Sequence, residues 1–381
     1  MTVWKMKGKS FKINDILKNS GKAAFYTGLV CELLVSPSGF ASGGFMNQAL
    51  IFLGIAALFV AALTELDFKK DLLLYAAVFA FSGVFLLVSG SALVLRLGLV
   101  LLAGRRQDAG KVMKLYFYGT VLLSVYILIR ALCGLGGDIY VVDNFRHVKE
   151  RRFMFGFLHP NAFSFFWFRL FIMWIYLYGL RVKAGFLAIA SVVFAVPFIL
   201  ASSKMGIAIF LYILAGVVFL RLDKNEKHVR IYHRAQQLIA AAVILFILSF
   251  LFIPYPENHT GKVENVWDAL NEVTTGRFEI ARDALKSNSI ELLGDRSVEE
   301  ATEVGYVNSL LREGILFMAV YLLLAFLRWN SSVKKKENGT ALLITGFMLY
   351  SVAEAFIPYF NKNGLFITML GVSEKDEKDK D

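Results

Sequence analysis

Apolar residues in this chain run in long unbroken blocks, and its polar residues gather in short gaps between them. A bilayer core of about 30 Å takes roughly 20 residues of helix, so each block bounded by charge reads as a membrane span. The blocks cover 23–35, 45–63, 72–88, 92–103, 115–135, 161–180, 184–201, 205–220, 238–253, 306–327 and 341–360. A twelfth, 364–371, is too short to cross alone. The pattern predicts an all-α, polytopic integral membrane bundle of about 11–12 helices.

Composition narrows the class. The 381 residues are 57% hydrophobic and 19% charged with a mean hydropathy of +0.58, where an ordinary soluble domain has roughly 45–50% apolar and about 25% charged residues. Disorder, collagen and disulfide-stapled mini-domains are excluded on the same numbers. A net charge of +11 on a soluble protein would point to nucleic acid. Here the 41 Lys and Arg cluster between spans, so they mark orientation and no nucleic-acid partner is expected. With the N-terminus in the cytoplasm, segments 1–22, 65–71, 104–114, 181–183, 221–235 and 328–339 hold more than half of them, and the outer turns 36–44 and 89–91 hold none.

Two outer segments are longer than tight turns: 136–160, and 254–305 with 5 basic and 11 acidic residues. The chain therefore divides into a basic cytoplasmic N-terminus (1–22), a bundle including the outer loop (23–253), a large extracellular loop with short helices (254–305), final spans (306–371) and a charged tail (372–381). No internal repeat is evident. The Lys-rich start resembles a signal peptide in outline, but Val30 is too bulky for a lipoprotein cleavage site before Cys31, and many spans follow, so 23–35 reads as a first span. Cys31 and Cys133 lie in apolar runs with no CxxC neighbour, the pattern of small core residues.

An ionisable side chain inside a span costs about 2.5–3.5 kcal/mol on insertion scales, so it needs a partner or a task. Glu32, Arg96, Arg130, Arg169, Lys204, Arg312, Glu313 and Glu354 qualify. The densest chemistry is Arg151-Arg152-Phe-Met-Phe-Gly156-Phe-Leu-His159-Pro160-Asn161, which closes an outer loop and opens a span. Pro160 suits a first helical turn and Asn161 can satisfy its orphan amides. His159 then sits at the membrane surface as a proton acceptor or a donor to an anion. A helix start ringed by the interfacial aromatics Phe163, Phe165, Phe166, Trp167 and Phe168 accounts for the same residues without chemistry.

In the large loop, Thr275 can cap a helix with Phe278, Ala281 and Leu285 on one face. Arg277 falls in its first turn, where the helix dipole disfavours a cation unless it faces a bound anion. Arg282 lies roughly 140° further round, so Arg277 is preferred as the anion contact.

In order along the chain, these features resemble the Wzy-type polysaccharide polymerases of the O-antigen ligase/polymerase superfamily, especially those of Gram-positive capsule and exopolysaccharide systems. The resemblance rests on Arg152 before Gly156-x-x-His159-Pro160-Asn161, Ser203-Lys204-Met205-Gly206 opening a later span, and Thr275-Gly276-Arg277. It continues through Gly305-Tyr306-Val307-Asn308 and Gly314 to Glu354 and Asn361, so that it covers 72–363. Lys204 departs from the family pattern, where Arg is usual, and supplies charge without a bidentate fork.

The resemblance implies a GT-C-like bundle in a bacterial plasma membrane, joining undecaprenyl-diphosphate-linked oligosaccharide repeat units on the outer face. It implies no metal and no other cofactor, with membrane lipid around the substrate and a chain-length regulator and a flippase of the same pathway as candidate partners. By the same likeness Arg152, Arg277 and Lys204 cradle the diphosphate, and His159 is the base or a diphosphate contact, with Glu354 the second choice. Arg151, Asn161, Arg282 and Tyr306 bind substrate. A glycan ligase shares the Arg and His logic. A flippase is a more distant alternative, against which stand the missing duplication of halves and the long outer loop.

Overall fold

The computed structural model describes residues 3–6, 9–35, 44–67, 70–145, 148–249, 276–295, 297–298, 302–352 and 354–371. Residues 250–275, which open the expected large loop and include Thr275, and the tail 372–381 lie outside them. The chain falls into two compact units, Met1–Leu122 with Tyr359–Asn361 and Phe366–Asp381, and Leu123–Pro358 with Lys362–Leu365.

The first unit opens with an antiparallel hairpin, β1 (Val3–Met6) and β2 (Lys9–Lys12), running into α1 (Ile13–Leu34). It continues with α2 (Phe45–Glu65), α3 (Leu72–Ser89), α4 (Ala92–Ala103) and the first part of α5 (Ala109–Leu132). α1 lies along α2, and α4 packs on both α2 and α3. Two of the span charges meet here. Arg96 on α4 donates from Nε and Nη2 to the two carboxylate oxygens of Glu32 on α1, at 2.7 and 2.6 Å, with both side chains buried. That fork matches the planar geometry of guanidinium and carboxylate. Asn361 then donates to the Glu32 carbonyl at 2.8 Å.

A second ionic knot closes the gap before α3. Arg105 lies 2.5 Å from Asp71, and Arg106 lies 3.6 Å from Asp71 and 3.7 Å from Glu65. Burial pushes the Asp71 carboxyl up, but the hydrogen bonds from Arg105 and the Asp67 N–H and the charges of both arginines hold it below its ordinary value.

The second unit carries the rest of α5 and a hairpin, β3 (Tyr140–Phe145) and β4 (Val148–Phe153). After it come α6 (Pro160–Trp174), continued by one π-helical turn over Ile175–Gly179, α7 (Ala184–Leu200), α8 (Lys204–Leu222) and α9 (Glu226–Ser249). The remaining helices are α10 (Arg277–Ser287), α11 (Gly305–Arg312), α12 (Gly314–Lys334) and α13 (Asn338–Tyr350). α13 touches α6, α8, α9 and α12, and all but a few of its residues are buried. A helix apolar on every side belongs in the middle of a bundle.

Among the described residues seven helices are long and apolar enough to cross a membrane: α2, α3, α5, α6 with its π turn, α8, α9 and α12. The protein is a multi-pass membrane protein, and several of the expected spans are not single long helices. α4 and α7 are shorter apolar helices. The expected span 306–327 is two helices, because Gly314 takes a positive φ of 83° and its Cα face lies against the backbone of Gly294 and Leu292, where no side chain fits. The expected span 341–360 stops as a helix at Tyr350, and beyond it the chain runs irregularly through buried Phe356, Ile357, Phe360 and Leu365 to a short 3₁₀ turn, Phe366–Met369. Hydropathy reads burial, and here the burial is inside protein rather than along a helix. Cys31 is a core residue as expected, whereas Cys133 is exposed, one residue past the end of α5.

Replacing only Glu32 or only Arg96 by Leu strands a buried charge, and we expect a loss of about 3–5 kcal/mol of stability. The double replacement is expected to recover most of it, read as the unfolding midpoint of the purified protein in detergent.

Candidate functional site

The Arg151–Asn161 stretch forms a hairpin strand, a tight turn and a helix start. Side chains alternate along β4, so Arg151 and Arg152 leave on opposite faces. Arg151 is exposed, with its guanidinium 4.5 Å from the centre of the Tyr140 ring. Arg152 points the other way, donating from Nε to the Ala201 carbonyl at 3.1 Å and from Nη2 to Asn161 Oδ1 at 2.7 Å. Gly156 makes the turn possible. Its φ is +83°, and a Cβ there would collide with Ala131 and the Ile127 carbonyl.

His159, rather than Asn161, caps α6. Its backbone is extended and its Nδ1 accepts from the Asn161 N–H at 3.2 Å, with Pro160 in the first turn. The Asn161 side chain is thereby released from capping and turned inward. Its Oδ1 receives Arg152, and its Nδ2 donates to both oxygens of Glu303 at 3.0 Å. The same Glu303 carboxylate accepts from Arg277 Nε at 2.9 Å. A continuous chain, Arg152 to Asn161 to Glu303 to Arg277, therefore joins β4, α6, the residues before α11 and the first turn of α10.

A hydroxyl cluster lies one turn along α6. The Ser164 hydroxyl is 3.1 Å from the Asn161 carbonyl, 3.2 Å from Ser203 Oγ and 3.1 Å from the Tyr350 hydroxyl. Glu354 and Arg277 both lie near enough to the Tyr350 hydroxyl to act on it electrostatically. Four helix N-termini converge here, those of α6, α8, α10 and α11, together with the C-termini of α7 and α13. Helix N-termini carry partial positive charge and unsatisfied N–H groups, and two arginines stand among them.

Other expected site residues stand apart from this chain. Lys204 is the first residue of α8 and is exposed. Arg282 engages the neighbouring Asp283 at 3.2 Å. Tyr306 is fully buried and donates to the Met348 carbonyl at 2.6 Å, bracing α11 against α13 rather than facing a substrate. α10 buries Phe278, Ala281 and Ala284, with Leu285 only partly covered, and its N-cap is Gly276. Asp295 lies on its own loop, where the hydroxyl and N–H of Ser297 hold its carboxyl below the ordinary range. Sequence reasoning missed Glu303. It is one of many acidic residues in an acidic loop, and nothing local sets it apart. Among the described residues no group of three or more His, Cys, Asp and Glu is placed to hold a metal ion.

No protein-family model, curated protein or solved structure matches this chain.

Asn161→Leu removes the amide between a guanidinium and a carboxylate. It is expected to cost about 1–3 kcal/mol, read as a lower unfolding midpoint. The exposed Lys204→Gln is expected to stay within about 0.5 kcal/mol of wild type.

Proposed function

We propose that this protein is a glycosyltransferase that extends a polysaccharide from lipid-diphosphate-linked oligosaccharide repeat units, on the outer face of the bacterial plasma membrane. The observation that carries this reading is the gathering of Arg152 and Arg277, distant in sequence, around one amide and one carboxylate at a confluence of helix N-termini. Such a set of fixed cations and N–H groups suits the charge that develops on a departing diphosphate. Arg stays charged and grips phosphate oxygens with paired donors.

In the reaction the acceptor hydroxyl attacks the anomeric carbon of the donor sugar. The bond from that carbon to the diphosphate oxygen breaks, and its electron pair leaves with the lipid diphosphate. The hydroxyl proton needs an acceptor. Without substrate, Glu303 pairs with Arg277, its side chain 43% exposed. A diphosphate drawn to Arg152 and Arg277 takes over that role and frees the Glu303 carboxylate to receive the proton, with Glu354 close by. His159 spends its Nδ1 lone pair on the Asn161 N–H. A neutral His159 therefore carries its proton on Nε2, which suits a donor to the diphosphate better than a base. The positive-inside pattern supports an outward-facing site, since the hairpin and α10 belong to the two segments expected outside.

Incubated with synthetic lipid-diphosphate repeat units, the wild type is expected to yield a ladder of longer products resolved by size. Arg152→Ala and Arg277→Ala are expected to lose about 10²–10³-fold in rate, and Glu303→Gln to lower kcat with little change in KM. Full activity in both arginine variants, or movement of substrate across liposomes without lengthening, would overturn the reading. Because the arginines supply the charge, polymerisation is expected to continue in excess EDTA, and its complete loss there would oppose the mechanism.

A further inference from the structure

A second polar space lies at the other end of the same unit. α8 starts beside the hydroxyl cluster at Lys204 and runs 19 residues to Leu222, about 28 Å at 1.5 Å per residue. There, between the ends of α8, α9, α12 and α13, is a cavity of about 500 Å³. Five cations line it: Lys224, Arg230, Arg234, Lys334 and Lys336. Its two carboxylates are engaged, Glu226 with Lys336 at 2.5 Å and Asp223 with His228 at 2.8 Å. Among the described residues neither Arg234 nor Lys334 has a carboxylate partner.

The floor of the cavity is held in place. His233, 1% exposed, has Nδ1 3.1 Å from Gln236 Oε1 and Nε2 3.0 Å from Asn338 Oδ1. Gln237 donates to Asn330 at 3.1 Å. Asn338 opens α13, so the positive end of that helix dipole also faces the space. Lys and Arg in cytoplasmic gaps need only be near the membrane to set orientation. Setting orientation does not require them to surround a shared cavity over a rigid polar floor.

We propose that this cavity binds a phosphate-bearing anion, whether a free inorganic phosphate or diphosphate or the headgroup phosphate of an anionic lipid. The volume is within the range of small-ligand sites and exceeds what a chloride ion needs. Spaced Lys and Arg donors, five against two carboxylates in the lining, match phosphate oxygens. The site stands whether or not the opposite end of the bundle catalyses glycosyl transfer.

The test uses the full chain in zwitterionic phosphatidylcholine nanodiscs, following the unfolding midpoint during titration with inorganic diphosphate. A parallel arm adds phosphatidylglycerol to the nanodiscs and omits diphosphate. At least one arm is expected to raise the midpoint, since a ligand that binds only the folded state stabilises it. A rise with diphosphate alone identifies a free anion, and a rise with phosphatidylglycerol alone identifies a headgroup. Arg234→Gln/Lys334→Gln is expected to weaken the effect roughly tenfold or more, and Arg152→Ala/Arg277→Ala to retain it, which separates this cavity from the other end. Should the double variant aggregate, the single variants Arg234→Gln, Lys334→Gln and Lys224→Gln are each expected to weaken it several-fold. No rise in either arm overturns the proposal. So does a rise that survives intact in the cavity variants, or one that disappears only in Arg152→Ala/Arg277→Ala.

Discussion

A charge placed among apolar helices must be answered from within the same chain, because lipid offers neither water nor counter-ions, and the two units meet this demand in opposite ways. Arg96 and Glu32 form a closed bidentate pair, buried on both sides. Nothing remains for a ligand to take. At the second site a neutral amide links Arg152 to the Glu303 carboxylate, and that carboxylate, which also holds Arg277, is partly exposed. An arrangement held through an intermediary and an accessible acid can exchange its internal anion for an external one, which a sealed pair cannot do.

Breaks in regular structure position this second site. The hairpin brings Arg152 back over the start of α6, and the turn at Gly156 depends on a residue without a side chain. The interruption at Gly314 lets α11 end and α12 set off separately, and Gly305 ties α11 to the end of α13 through its N–H on the Ser351 carbonyl at 2.8 Å. Irregular backbone is tolerated in a membrane protein where protein itself satisfies the exposed amides and carbonyls.

Much of this was legible in the sequence. Unbroken apolar runs located most of the helices, because lipid imposes length and composition together. The Arg151–Asn161 stretch could be singled out because Pro, Asn and His at a helix start constrain one another locally. Helical phase puts Arg277 and Arg282 on different faces, and the two engage different carboxylates, Glu303 and Asp283. What stayed hidden depends on contacts between distant segments. Glu303 gains its place only when Asn161 and Arg277 converge on it. The helix break at Gly314 follows from the approach of Gly294, which no hydropathy window sees. The β3–β4 hairpin pairs Tyr140-Val141-Val142 with Phe153, Arg152 and Arg151, so its second strand is carried by charged residues and has little β signal of its own.

The irregular stretch after Tyr350 bears on how the molecule is made. A helix can enter the bilayer on its own because its amides and carbonyls are already paired within it. The segment 354–365 is not a helix, and side chains hold its turns: Phe356 stacks on Phe165, and Asn363 donates to the Ile357 carbonyl and the Tyr321 hydroxyl. Its resting place exists only after the surrounding helices have been inserted and brought together. Its burial therefore depends on tertiary contacts with Phe165 and Tyr321 that a lone helix does not need.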